Sequence, residues 1–245
     1  MKRSLIFLLL AALSLSLCAC AESPAPAASI PETAPETLPV FASLPAEALM
    51  TEPVAVYEGA EEDYLLPLER YSSERTENPR FVMIHFTSNV VADRDDPYDM
   101  DAIRSIFTDY EVSIHYIIDR EGTVRCYIPE DRIAWHAGKG EWAGDPSYTN
   151  RMNHYAIGIE LAAIGSQSDM ATYLTAAEYD ALDDSLIGFT DAQYDALSVL
   201  VEDICSRYQI PMDRAHIIGH EEYSPQKQDP GQLFDWSRIT PEAVG

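Results

Sequence analysis

The stretch Gly219-His-Glu-Glu-Tyr-Ser-Pro-Gln-Lys-Gln-Asp-Pro-Gly231 crowds a histidine, a lysine and an aspartate into one short segment. His220 comes after the apolar run His216-Ile217-Ile218 and so leaves the end of a short strand, while Pro225, Pro230 and Gly231 keep the residues beyond it from continuing as helix. The chain must turn back on itself. Doing so can set the carboxylate of Asp229 beside the imidazole of His220, and Lys227 can then point a cation into the same pocket. One imidazole and one carboxylate make half of a zinc site. A catalytic zinc takes three protein ligands and keeps a position open for water, so the rest of the chain is read for the third ligand.

Working outward, Phe81-Val-Met-Ile-His-Phe86 is a compact apolar run after Pro79, short enough for a buried strand, and it sets His85 near the strand's exit. A lone histidine in such a run is ordinarily a hydrogen-bonded core residue. Tyr155-Ala-Ile-Gly-Ile-Glu-Leu-Ala162 is a second buried strand interrupted by one ionisable residue, Glu160. A carboxylate there is costly unless paired, bound to metal or used. Ser113 to Asp119 and Val124 to Ile128 flank Arg120-Glu-Gly-Thr123 and read as a hairpin. Ala134-Trp-His-Ala-Gly138 then places Trp135 and His136 in a glycine-bounded loop, as a packed anchor or as a wall of a groove.

Asp96-Pro97 fits an N-cap and first helical residue, with Ile103, Ile106, Phe107 and Tyr110 as the inward stripe of the helix they open. Residues 165–189 look like an insertion. Within and just after them, Thr175 with Glu178 and Thr190 with Gln193 repeat a capping-box pattern. The second opens a longer helix with Tyr194, Leu197, Val201, Ile204 and Tyr208 at helical spacing.

Residues 1–19 carry Lys2 and Arg3 ahead of the apolar stretch Leu5 to Leu17 and read as a secretory signal. Their ending, Leu17-Cys18-Ala19-Cys20, resembles a bacterial lipobox, which would lipidate Cys20 and hold the mature chain on the outer face of a membrane; an ordinary cleaved signal is the alternative. Residues 20–50, rich in Ala, Pro, Glu, Ser and Thr, read as an extended tether, and residues 51–77 as an irregular lead-in. What remains suits one domain over residues 78–240. The formal net charge is -25, which argues against nucleic acid as a partner. Cys126 and Cys205 both point toward a core, as free thiols or as one disulfide.

Four segments now agree in order: Ile84-His85-Phe86-Thr87; Ser113 to Asp119 with Ala134-Trp-His-Ala-Gly138; Ile157-Gly-Ile-Glu160; and Gly219-His220 through Lys227-Gln-Asp229-Pro-Gly with Phe234-Asp-Trp236. Together they resemble the zinc-dependent N-acetylmuramoyl-L-alanine amidases of the amidase-2 and peptidoglycan-recognition family. The resemblance implies an α/β single domain with a central mixed β-sheet flanked by helices. It implies Zn2+ held by His85, His220 and Asp229, with Glu160 as proton carrier and Lys227 as a catalytic cation. Two departures stand out: Phe86 occupies a place where the family often has a second histidine, and Ile114 one where some phage relatives have a tyrosine.

Such a ligand set leaves the zinc centre with net positive charge, which brings its water toward neutral pKa. Glu160 could move the proton, or else orient a ligand imidazole; Lys227 could stabilise the developing oxyanion, or else be an ordinary surface lysine. Of the spare histidines, His136 with Trp135 is expected to touch substrate, His115 to be structural or to face the cleft, and His154 to lie on the surface. The resemblance implies hydrolysis of the amide between N-acetylmuramic acid and L-alanine in peptidoglycan or muropeptides by an exported monomer of the cell envelope. The competing expectations are a recognition module that holds peptidoglycan without cutting it, and a zinc amidohydrolase acting on another peptide.

Overall fold

The computed structural model describes residues 56–240. The signal sequence, the tether and the lipobox therefore lie outside the described residues. In chain order the elements are β1 (Glu61–Glu62), α1 (Leu68–Tyr71), β2 (Ser72–Glu74), β3 (Phe81–Thr87), α2 (Met100–Tyr110), β4 (Tyr116–Ile118), β5 (Val124–Cys126), β6 (Arg132–Ala134), β7 (Ala156–Ala162), α3 (Gln167–Met170), α4 (Ala176–Tyr179), α5 (Asp191–Tyr208), β8 (Ile217–Gly219) and α6 (His220–Tyr223). Six strands form one sheet in the order β1-β5-β4-β7-β3-β8. The β4–β5 hairpin is antiparallel and the other pairings are parallel. This is the mixed sheet with flanking helices that the sequence implied.

The runs of β3 and β7 are almost continuously apolar because they are central strands covered on both faces. Alternation sorts their side chains. Val82, Ile84, Ile157, Ile159 and Leu161 pack under Leu197, Leu200, Val201 and Ile204 of α5. On the opposite face, Ile117 packs with Ile103 and Phe107 of α2, and Phe81, Met83, Ala156 and Ile218 pack under the chain around Met152 and Tyr155. His85 and Glu160 belong by parity to this second face and to neither of its apolar clusters. They stand near the C-terminal ends of parallel strands, where open α/β sheets place their sites.

Local details differ from the sequence reading. The cap of α2 is Asp99, whose side chain accepts from the amides of Asp101 and Ala102. Asp93 instead captures the amides of Asp95 and Asp96, so Asp96-Pro97 lies in a turn ahead of the helix. Tyr110 ends α2 and is 75% exposed, outside the inward stripe. Both capping boxes form, but the first opens only the four residues of α4, while the second opens the eighteen of α5. Cys126 and Cys205 are buried free thiols. Among the described residues no helix is long and apolar enough to cross a membrane.

The described part of the expected irregular lead-in is ordered: β1 pairs with β5, β2 pairs with β6, and Arg75 locks them to the domain. Arg75 is 7% exposed and donates to the carbonyls of Glu130 (2.7 Å), Arg132 (3.2 Å), His154 (2.8 Å) and Ala156 (3.3 Å). A guanidinium can satisfy this many acceptors at once because its donors fan out in a plane. Arg75→Met takes the guanidinium donor from those carbonyls and is expected to cost about 3 kcal/mol, measured as a lower urea midpoint at unchanged slope.

Candidate metal centre

β3 ends two residues beyond His85, and β8 hands directly to α6, whose first residue is His220. His220 is thus the opening residue of a one-turn helix, where the prolines alone predicted no helix. Because β3 lies between β7 and β8, with His85 level with Glu160 and Ile84 level with Gly219, the sheet register brings all three functional positions to one place. Asp229 reaches it from the loop after α6. Its backbone carbonyl accepts from the amide of Glu221 at 3.0 Å, and Gly231, at φ 75°, takes the left-handed conformation that turns the chain away.

Three atoms converge. His85 Nδ1 lies 3.1 Å from His220 Nδ1 and 2.8 Å from Asp229 Oδ2, and His220 Nδ1 lies 2.9 Å from the same Oδ2. His220 Nε2 faces the carbonyl of Ala137 at 3.0 Å. A carbonyl only accepts, so Nε2 carries the hydrogen and Nδ1 of the neutral ring is a bare lone pair. His85 Nε2 faces His136 Nδ1 at 3.0 Å, and donation along that bond leaves His85 Nδ1 bare too. Burial holds the His85 imidazole down at about 4, with His220 adding to the effect and Asp229 opposing it, so a proton is not resident there at neutral pH. Burial raises the Asp229 carboxyl, but the imidazoles of His220 and His85 packed against it outweigh burial and hold the group well below the usual range.

Three lone-pair-bearing atoms that close together repel unless a cation lies among them. The spacing fits such an ion: a tetrahedral face drawn with zinc bonds of about 2.0–2.1 Å has edges of roughly 3.3 Å. His85, His220 and Asp229 are accordingly the described residues whose ligand atoms meet the geometry of a metal site.

Glu160 is half-buried, yet its Oε2 is inaccessible and without a hydrogen-bond partner among the described residues. Burial and the nearby Asp229 push its carboxyl well above the ordinary value, and the charge of Lys227 opposes that rise. Lys227 itself is exposed, on the turn closed by its own amide donating to Ser224 O at 2.9 Å.

The residues expected to touch substrate divide. Trp135 is half-buried, its backbone amide donating to Ser113 Oγ at 2.7 Å. His136 backs the ligand His85, a role the sequence reading missed. His115 takes the structural one of its two expected places: it is fully buried, with Nδ1 accepting from the amide of Gly158 at 3.0 Å and Nε2 facing Arg132 O at 3.2 Å, so a contact with substrate is not open to it. His154 is half-buried, its carbonyl serving Arg75.

Two supporting residues escaped the sequence reading. Asn153 Oδ1 accepts from the amides of His136 (3.0 Å) and Ala137 (2.7 Å), fixing the loop that orients both ligand imidazoles. Gly158 gives His136 room, since a Cβ there would lie 2.7 Å from its ring. A glycine inside a strand is the signal that could have found it.

The sign of Glu160's contribution to stability is set by its raised carboxyl. Its folded-state pKa exceeds the unfolded one, so its contribution is complete below about pH 4.5 and is lost as pH rises toward the folded value. Glu160→Gln removes that loss. In chelator the variant is expected to melt at a higher temperature than the wild type near pH 8, with the gap closing as pH falls toward 4.5. Thermal melts across that range check this, and a gap that does not change with pH would contradict it.

The Amidase_2 family, N-acetylmuramoyl-L-alanine amidase, matches residues 75–232, a span holding every residue of the site. N-acetylmuramoyl-L-alanine amidase AmiD of Escherichia coli is 30% identical over 192 residues, covering 75% of this chain and 60% of AmiD. The 1,6-anhydro-N-acetylmuramyl-L-alanine amidase AmpD of Haemophilus influenzae is 36% identical over 129 residues, covering 52% of this chain and 56% of AmpD. The chain thus spans little more than half the length of the curated relatives it matches. The crystal structure of a Se-Met AmpD derivative superposes with a TM-score of 0.53 at 25% identity, covering 78% of this chain and 97% of that one. Since the family match takes in well over half of its residues, this chain belongs to the N-acetylmuramoyl-L-alanine amidase family.

Proposed function

We propose that this chain is a zinc-dependent hydrolase that cuts the amide between the lactyl group of N-acetylmuramic acid and the L-alanine of the stem peptide in peptidoglycan or its fragments. One observation carries the reading: two imidazole nitrogens and a carboxylate oxygen meet at 2.8 to 3.1 Å, close to a carboxyl group, that of Glu160, with a buried oxygen lacking a hydrogen-bond partner among the described residues. Family membership and the printed activities of AmiD and AmpD support the choice of bond. The N-terminal signal and Cys20 extend the proposal to an exported, lipid-anchored enzyme of the cell envelope.

His85, His220 and Asp229 would hold the ion. When bound, it supplies Lewis acidity and a water acidic enough to attack near neutral pH. Glu160 receives the proton of the attacking water on its carboxylate and hands it to the amine nitrogen as the amide breaks. A carboxyl group raised well above its ordinary value by burial suits both halves of that transfer. Lys227 offers its ammonium to the oxygen on which negative charge grows. His136 and the Ala137 carbonyl keep the ligand rings in the tautomer that presents Nδ1.

Purified protein incubated with peptidoglycan is expected to release stem peptides beginning with L-alanine, seen by mass spectrometry, with release stopped by chelation and restored by zinc. Asp229→Ala is expected to fold, to hold no zinc by elemental analysis and to lose about 10³-fold or more in turnover. Wall that is bound but left intact by the zinc-loaded wild type would replace this reading with that of a recognition module.

A further inference from the structure

The segment 165–189 is held down by its own core, in which Met170, Leu174 and Leu182 pack with Val90 and Ile164. Its first turn, α3, carries one buried acid. Asp169 is 3% exposed, and its Oδ2 accepts from the amide (2.9 Å) and hydroxyl (2.7 Å) of Ser166, which closes a capping box. The same oxygen accepts a third hydrogen bond, from the amide of Gln232, at 3.1 Å across 63 residues of chain. Gly231 makes that approach possible: a Cβ there would lie 2.5 Å from Asp169 Oδ2. Gln232 is itself exposed, so its amide could be served by water. What the bond adds is position.

That position matters because Gln232 ends the turn that begins at Asp229. One end of the turn is tied to α6, where the Glu221 amide donates to the Asp229 carbonyl at 3.0 Å, and the other end is tied to Asp169. Asp229 supplies the carboxylate that completes the ligand triangle. We propose that Asp169 is a positioning residue for the metal centre, a latch from the segment 165–189 that fixes the Asp229–Gln232 turn so that the Asp229 carboxylate stands ready for the ion. This rests on the metal reading of the site. It assigns the segment a part in forming the site that its distance in sequence and its lack of any ligand conceal.

The test separates latch from cap. Zinc dissociation constants are measured by chelator competition for the wild type, Asp169→Ala, Asp169→Asn and Ser166→Ala, alongside melting temperatures in chelator. Asp169→Ala is expected to weaken zinc binding about tenfold or more. Asp169→Asn, which keeps the shape and one acceptor, is expected to stay within about threefold of the wild type, and Ser166→Ala, which damages only the cap, to bind as the wild type does. Should Asp169→Ala fail to fold, amide exchange in the metal-free wild type decides: a protected Gln232 amide supports the latch, and one exchanging at the open-chain rate overturns it. Equal zinc affinity in Asp169→Ala and the wild type, or equal weakening by Ser166→Ala, overturns the latch alone. A wild type that binds no zinc overturns the metal reading and the latch together.

Discussion

Mutual repulsion among three electron-rich atoms is the constraint from which the rest of this structure can be understood. His85 Nδ1, His220 Nδ1 and Asp229 Oδ2 are held at separations of 2.8 to 3.1 Å, and both imidazoles are almost fully buried. Left to relax, such a trio would separate or capture a proton. Burial opposes the proton, since an imidazolium in a dry setting is disfavoured. Separation is opposed by the backbone: β3 and β8 are hydrogen-bonded neighbours, and the turn carrying Asp229 is tied to α6. The fold therefore keeps in place an arrangement that electrostatics alone would disperse, with the geometry of a candidate metal site.

The same reasoning explains the polar residues behind the site. A ring nitrogen presents its lone pair in one direction only if its other nitrogen is committed elsewhere, and each ligand ring has such a commitment, to the Ala137 carbonyl or to His136. Those partners sit on one loop, and a single side chain, Asn153, holds two of its amides. Gly158 then lets the loop lie against β7 closely enough for His136 to reach His85. A scaffold built only for stability would place an apolar side chain at position 160, level with His85 on the neighbouring strand. Glu160 there, with a buried unpaired oxygen, is the kind of local inconsistency that marks function.

What could be read from the sequence was whatever depends on neighbours along the chain. The near-continuous apolar runs of Phe81–Thr87 and Ala156–Ala162, the hairpin at Arg120–Thr123 and the capped stripe of α5 all arise from short windows of residues. The grouping of His85, His220 and Asp229 was legible because they occur in ordered motifs, and the structure brings their side chains together. The parts that escaped depend on contacts made across the fold. Arg75 appears as one more charge in an acidic stretch until four carbonyls are seen around it. Asp96 and Asp99 are equally good caps in isolation, and the fold gives the cap to Asp99 while Asp93 binds the amides of Asp95 and Asp96 in the turn ahead. His115 and His136 were both read as spare imidazoles, and only the fold shows that one is sealed beneath β7 while the other reaches His85.

Whether an ion builds such a site or enters one already built depends on what orders the ligands. In small zinc-folded domains the metal replaces a missing core, and removal of the ion unfolds the chain. Here the strands bearing His85 and Glu160 are packed on both faces by apolar clusters to which no ligand belongs. The ligand rings are oriented by hydrogen bonds to protein groups, and the Asp229 turn is fastened at both ends. None of these restraints passes through a metal. On the proposed function, the free energy of binding an ion would not be consumed in folding the domain; it would go into relieving the repulsion among atoms already in place. On the same proposal, a site preorganised in this way would hold His85, His220 and Asp229 still while Glu160, which is not among them, would stay available for proton transfer.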